Sequence, residues 1–281
     1  MAHIVGAFGV PHTPHFPLIV ERRGPAAPEI ERLYGAVARR LDEVEPDAIV
    51  YITSDHYNIF FEESLPIFSV GVAPAARGPS DYPELPGHEV CIDSDLARHI
   101  QAHAVASDFD VGMSQEFELD HSVIVPLHFL TPRMEVPIVP VFVSAFVRPI
   151  PSSRRCHALG MVIREAVERY PRPMRVAVIA TGSFSLEIGG PRISPDSHTG
   201  VPDPRWVERV AALLGSGQVA ELIREATDEQ LAEAGNAGGE VLDWIAMLGT
   251  IDPRPPGFLE VQRDYGHAFG AWPIATRRSR E

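Results

Sequence analysis

The stretch Ala48 to Asn58, AIVYITSDHYN, constrains the fold of this chain more than any other. Its apolar, β-branched run from Ile49 to Thr53 has no polar break and stops abruptly at Ser54-Asp55-His56. Such a run is a strand buried on both faces, the pattern of a parallel sheet. In open α/β sheets ligands bind beyond the carboxyl ends of the strands. Asp55 and His56 therefore stand at the edge of a crevice, where an imidazole can take a metal and a neighbouring carboxylate can orient its ring N–H. A single His-Asp pair at a strand end is more simply a loop cap. It becomes a candidate site only when similar residues recur at equivalent places.

They do recur. His3 to Val10 is a first buried strand, closing on Pro11-His12-Thr13-Pro14-His15, where the prolines restrict the backbone. Ile30, Leu33, Val37 and Leu41 recur at helical spacing between Ala27 and Glu45, so the chain opens as strand, helix, strand. The strands ending at His12 and His56 are expected to be neighbours. Further strands are expected at Leu65–Val72, Pro137–Ser144 and Met174–Thr181, and helices from Ser94, over His157–Tyr170, Pro204–Leu214, Val219–Ala226 and Glu240–Leu248. Val123–Leu130 has no decisive periodicity. Ala73–Gly87 and the Gly, Pro and Ser-rich Ile188–Pro204 are loops. Tyr265–Ile274 is expected to be irregular, and Arg277–Glu281 to fray. The alternation predicts an α/β fold, one large domain over 1–281 with a mainly parallel sheet flanked by helices.

Composition narrows the function classes. With 24 Lys and Arg against 38 Asp and Glu the net charge is −14, which argues against nucleic acid and anionic membranes as partners. Two cysteines, Cys91 and Cys156, supply neither a disulfide framework nor a cysteine-rich metal site. The N-terminus lacks the basic region of a signal peptide, and no apolar segment approaches the ~20 residues of a spanning helix. A soluble, cytoplasmic protein is expected.

Of twelve histidines, most read as ordinary. His99 and His103 mark a solvated helix face. His88, His157 and His267 are structural or exposed, His128 is a buried core histidine, and His15 is at most a second to His12. The informative set is His12, His56 and Glu240, the last in a Gly-rich turn, Gly235-Asn-Ala-Gly-Gly-Glu240, that feeds a helix containing Trp244. A Glu in a first helical turn also serves simply to offset the helix dipole. Two His and one carboxylate leave open coordination positions, which suits non-haem Fe(II) and, equally, a catalytic zinc.

Five segments together resemble one known family. Pro11-His12-Thr13-Pro14, Ser54-Asp55-His56, Leu119-Asp120-His121, Ala180-Thr181-Gly182-Ser183 and Gly235–Glu240 with Trp244 occur in the order seen in the class III extradiol dioxygenases, typified by the β subunit of protocatechuate 4,5-dioxygenase. The resemblance implies Fe(II) on His12, His56 and Glu240, and His121 beside the substrate and dioxygen. It further implies a small aromatic diol-like substrate, with Ser183, Phe184 and Leu186 against it, and a homodimer or a complex with a small α-type subunit. The chain departs from the family at Leu186, where a Thr-Gly-(Gly/Ser)-x-Ser turn is normally followed by a proton-transferring histidine. An aliphatic side chain moves no proton, so His121, or His198 in the following loop, is the candidate replacement. The resemblance thus points to an Fe(II)-dependent ring-opening dioxygenase. The alternatives are a non-catalytic or partner subunit of a heteromeric dioxygenase, and a metal-dependent hydrolase or lyase using the same ligands.

Overall fold

Four parallel strands form the centre of the sheet, and each is an apolar run buried along nearly its whole length. They are β1 (His3–Val10), β2 (Ala48–Ser54), β5 (Ile138–Val143) and β6 (Arg175–Thr181). The remaining strands are β3 (Phe68–Gly71), β4 (Val111–Ser114), β7 (Phe258–Gln262) and β8 (His267–Pro273). The computed structural model describes residues 1–194 and 196–274. The eight strands lie in the order β7-β8-β1-β6-β2-β5-β3-β4. β1, β6, β2 and β5 pair in parallel, whereas β8 joins β1, and β3 joins β5, antiparallel. The fold is thus a single α/β domain on a mixed, mostly parallel sheet.

The sheet is covered on both faces. On one side Ala7, Val50, Ile52 and Val178 pack against helices Ser94–Ala106, Ser153–Arg169 and Val241–Gly249. On the other, Phe8, Ile49, Tyr51 and Ile179 pack against Ala27–Glu43 and His121–Leu130. The ambiguous run Val123–Leu130 is thus the body of a buried helix, capped by the Asp120 carboxylate, which accepts from Ser122 N–H at 2.9 Å. Helix Val241–Gly249 is buried at every residue. It crosses Ser153–Arg169 so closely that a Cβ on Gly160 would stand 1.9 Å from the Ala246 carbonyl oxygen. That crossing fixes the helix that begins next to Glu240.

Several expectations need correction. β1 and β2 are not neighbours, because β6 lies between them. Tyr265–Ile274 is not irregular: a short turn, Arg263–Tyr265, leads into β8. Its Gly and Ala residues weaken the strand signal, yet pairing to β1 orders them. β4 and β7 went unrecognised because edge strands bury little and show no sustained apolar run. The loops at Ala73–Gly87 and Ile188–Pro204 each carry part of a small antiparallel ladder. Arg277–Glu281 lies outside the described residues. Among the described residues no helix is long and apolar enough to cross a membrane.

Candidate metal centre

The carboxyl ends of β1, β2 and β6 bring His12, His56 and Gly182-Ser183 to one place, and the turn before helix Val241–Gly249 adds Glu240. Glu240 is fully buried, and its Oε1 lies 3.2 Å from His12 Nε2 and 3.6 Å from His56 Nε2. Its other oxygen accepts a 2.6 Å hydrogen bond from Ser183 N–H. Burial alone would raise the Glu240 pKa, but the two histidines hold the carboxyl well below its ordinary range. Gly182 makes this approach possible: its φ is +130°, and a Cβ there would stand 2.6 Å from the Glu240 Cβ. Trp244, one turn on, donates from its indole N–H to the Gly182 carbonyl at 3.2 Å and locks the helix to the same turn.

His121 completes the cluster. Ring nitrogens of His12, His56 and His121 lie within 4.8 Å of one another. The ring centres are 5.0 Å apart for His12–His56, 4.6 Å for His56–His121 and 5.4 Å for His12–His121. His56 and His121 are each held from behind by a carboxylate. Asp120 Oδ2 lies 2.9 Å from His56 Nδ1, which leaves Nε2 directed at Glu240. Asp81 pairs with His121 Nδ1 and also accepts the His121 backbone N–H at 3.0 Å. The two rings respond differently. Burial would lower the His56 pKa, but Asp120 and Glu240 outweigh it and raise it to about 10. Burial prevails at His121 and keeps its pKa below the ordinary value.

Asp55, expected to orient His56, does something else. It accepts the backbone N–H groups of Asn58, Ile59 and Phe60 and shapes the loop after β2. The orienting role belongs to Asp120, which sequence spacing could not join to His56. Asp81 was missed for the same reason.

Not all the other expected residues gather here. Ser183 does, through its backbone. Phe184 is fully buried in the core with its ring 4.9 Å from Trp244. Leu186 is tied by its backbone to Ala234 and Ala237. His198 is exposed on the Ile188–Thr199 ladder, its carbonyl accepting from Gly189 N–H, and it makes no contact with the cluster. Tyr82 over His121, at 5.1 Å, and Phe146 over His56, at 4.6 Å, are the aromatic walls instead.

Two buried groups near the cluster were not foreseen. Asp243, in the turn after Glu240, accepts a 2.7 Å hydrogen bond from Ser54 Oγ, and burial pushes its carboxyl well up. His267, the first residue of β8, is buried rather than exposed, and its Nε2 lies 3.0 Å from Thr13 Oγ1. Burial pushes the His267 pKa down to about 4. No sequence pattern pairs His267 with Thr13; only the pairing of β8 with β1 brings their elements together.

A buried set of two imidazoles and one carboxylate, at the strand ends of a parallel α/β core, defines a candidate metal-dependent enzyme. The chain belongs to the LigB family, "Catalytic LigB subunit of aromatic ring-opening dioxygenase", which it matches over residues 6–272. It is similar to the 2,3-dihydroxyphenylpropionate/2,3-dihydroxicinnamic acid 1,2-dioxygenase of Burkholderia vietnamiensis, at 28% identity covering 87% of each chain. It also resembles the gallate dioxygenase of Pseudomonas putida, at 34% identity over 64% of this chain and 50% of that one. Among solved structures, an uncharacterized protein, JW3007, from Escherichia coli K12 shares the fold, with a TM-score of 0.57 and 12% identity over 96% of this chain and 100% of that one. Family members are extradiol ring-cleaving dioxygenases and metal-dependent, and this donor cluster could bind a metal.

Proposed function

We propose that the protein is an Fe(II)-dependent extradiol dioxygenase that opens the ring of a small catechol-like diol, with His12, His56 and Glu240 as the metal ligands. The observation that carries this reading is the approach of one Glu240 oxygen to both His12 Nε2 and His56 Nε2, at 3.2 and 3.6 Å. These three atoms converge at the strand ends with Glu240 and His12 buried, a donor chemistry that fits a divalent cation. Glu240 is preferred to His121 as third ligand because its charge offsets that of the cation.

When bound, Fe(II) supplies a Lewis acid for two adjacent hydroxyls and an electron path between ring and dioxygen. The chain's own residues do the rest. Asp120 holds His56 with its ε nitrogen forward, and Ser183 N–H holds Glu240 from the other side. His121, kept neutral by burial, can take or give a proton at Nε2 while Asp81 fixes Nδ1. Tyr82 and Phe146 flank these rings and exclude water from one side. The names of the relatives favour a dihydroxyphenylpropionate- or gallate-like diol. A homodimer or a small partner chain would complete the cover over the site, and light scattering of the active form checks it.

The test is metal analysis of anaerobically purified protein together with oxygen uptake on 2,3-dihydroxyphenylpropionate, gallate and protocatechuate. One iron per chain and stoichiometric oxygen uptake on at least one diol are expected. Zinc content with no oxygen uptake on any of them would overturn the assignment in favour of a hydrolase or lyase.

A further inference from the structure

We propose that His267 is a catalytic residue that takes a proton from the bound diol at Nδ1 and later returns it, with Thr13 fixing the ring. The proposal rests on the dioxygenase reading above. It starts from an atom that the fold leaves without a role: His267 Nδ1 is buried and has no hydrogen-bond partner among the described residues, while Nε2 is paired with Thr13 Oγ1 at 3.0 Å.

The position is set by the backbone. β1 and β8 pair Gly6 with Pro273, Ala7 with Trp272, Phe8 with Ala271 and Gly9 with Gly270. His267 begins β8 three residues before Gly270, and His12 follows Gly9 by three, so the two chain segments leave the sheet at the same end. Thr13, next to His12, supplies the one hydrogen-bond partner the imidazole has among the described residues. From the other side, Phe184 N–H donates to the Gly266 carbonyl at 2.8 Å, and a Cβ on Gly266 would stand 2.1 Å from the Ser185 carbonyl oxygen. The turn that touches Gly266 is thus the same turn whose Ser183 N–H binds Glu240 and whose Leu186 stands where the resemblance leads one to expect a histidine. An imidazole missing from that turn is present on the strand pressed against it.

A purely structural role explains the residue poorly. The ring sits between Phe16, with centres 5.6 Å apart, and Tyr265, stacked at 5.9 Å. A phenylalanine or leucine would fill that cage and leave no buried nitrogen bare, which costs about 1–3 kcal/mol. The arrangement is instead that of a base with an orienting partner. With Nε2–H donating to Thr13 Oγ1, Nδ1 carries a bare lone pair. When it takes a hydroxyl proton, the O–H electron pair stays on the substrate oxygen and the new N–H forms at Nδ1. Thr13 accepts from Nε2–H in both states, so the ring need not turn, and no oxidant or reductant enters the step.

The test uses the anaerobic, Fe(II)-loaded protein and 4-nitrocatechol, whose phenolate forms differ in visible absorbance, followed by steady-state turnover on the diol the enzyme accepts. Wild type is expected to bind the probe doubly ionised. His267→Gln is expected to bind it singly ionised, with kcat lower by about 10²–10⁴-fold and KM within a few-fold. Iron content equal to wild type would show that the site itself is intact. Millimolar imidazole should partly restore kcat in His267→Gly, whereas benzene, which fills the same cavity without a nitrogen, should not; equal rescue by both would mean a packing role. Should His267→Gln fail to fold, Thr13→Val carries the same test, with kcat expected to fall by about tenfold or more. An active wild type beside a variant with the same probe spectrum and unchanged kcat removes the role of His267 alone. A wild type that neither ionises the probe nor consumes oxygen removes the dioxygenase reading and this role together.

Discussion

Replacing Asp120 with Asn targets the shortest of three contacts at Asp120 Oδ2, the one behind the proposed metal ligand His56; the others, from His56 N–H and Asn58 Nδ2, are 3.4 Å long. Asp120 Oδ2 lies 2.9 Å from His56 Nδ1, while Oδ1 accepts Ser122 N–H at 2.9 Å and caps the helix that begins at His121. Asparagine keeps the volume and caps a helix about as well as aspartate, so its amide oxygen can retain the Ser122 bond. Its NH₂ group then faces His56 Nδ1, and a donor confronts a donor. The imidazole escapes by moving its proton to Nε2, the nitrogen that points at Glu240 Oε1 from 3.6 Å. A protonated Nε2 cannot ligate a cation, so each binding event carries the cost of the unfavourable tautomer. Loss of such an outer partner lowers metal affinity by about 10–100-fold, or ~1.4–2.7 kcal/mol. Anaerobic competition for Fe(II) against a chromophoric chelator measures this directly, and circular dichroism checks the fold. Asp120→Ala should lose the cap as well, at a further cost of about 1 kcal/mol in stability. An Asp120→Asn variant that binds iron within threefold of wild type would refute the claim that Asp120 fixes the His56 tautomer.

Acid should destabilise the protein partly through His267. Its pKa falls from an ordinary 6.5 to about 4 on burial, so between those values the unfolded chain takes up a proton that the folded one refuses. The contribution is whole above pH 6.5, disappears as pH falls toward 4, and is at most about 3 kcal/mol. Urea unfolding of metal-free protein between pH 7.5 and 4.5 should show a shallower decline for His267→Gln, and parallel curves would contradict the burial argument. Gly182→Ala should add about 1–3 kcal/mol of backbone strain at a φ of +130° and push Glu240 aside. Iron content per folded chain should therefore drop, and full occupancy would show that the turn can yield. His198→Ala should leave kcat within about twofold, as is usual for an exposed residue remote from the chemistry. A loss of 10²-fold or more would mean the loop reaches the site during turnover.

What could be seen in the sequence followed from local periodicity and from strand ends. Buried runs such as Ile49–Thr53 identify themselves, since a strand covered on both faces has no polar alternation to hide it. His12 and His56 were visible because each ends such a run, and Glu240 because a Gly-rich turn delivers it to a buried helix. The partners behind them were not visible. Asp120 and Asp81 meet His56 and His121 only through tertiary packing, across 64 and 40 residues. Asp55 was misassigned because adjacency in sequence suggested a contact, whereas successive strand-end residues point in different directions. Phe184 was expected at the substrate from its place in a motif, whereas its packing against Trp244 is a tertiary contact that no local pattern shows. His267 escaped because β8 is rich in Gly and Ala, and its strand character comes from its pairing with β1.

His12 and Glu240 are 228 residues apart, and β8, which pairs with β1, begins later still, at His267. For a chain emerging from the ribosome N-terminus first, His12 is made 228 residues before Glu240. Closing the loop between them costs an unfolded chain about 5 kcal/mol beyond the constant term, so the cluster assembles only when folding brings both elements together. A cation captured there would bind the finished fold and scarcely touch anything shorter. By mass action it would stabilise the complete molecule by about 2.7 kcal/mol at a hundredfold excess over its dissociation constant. Chains truncated before Glu240 would gain nothing from it and would stay open to proteolysis.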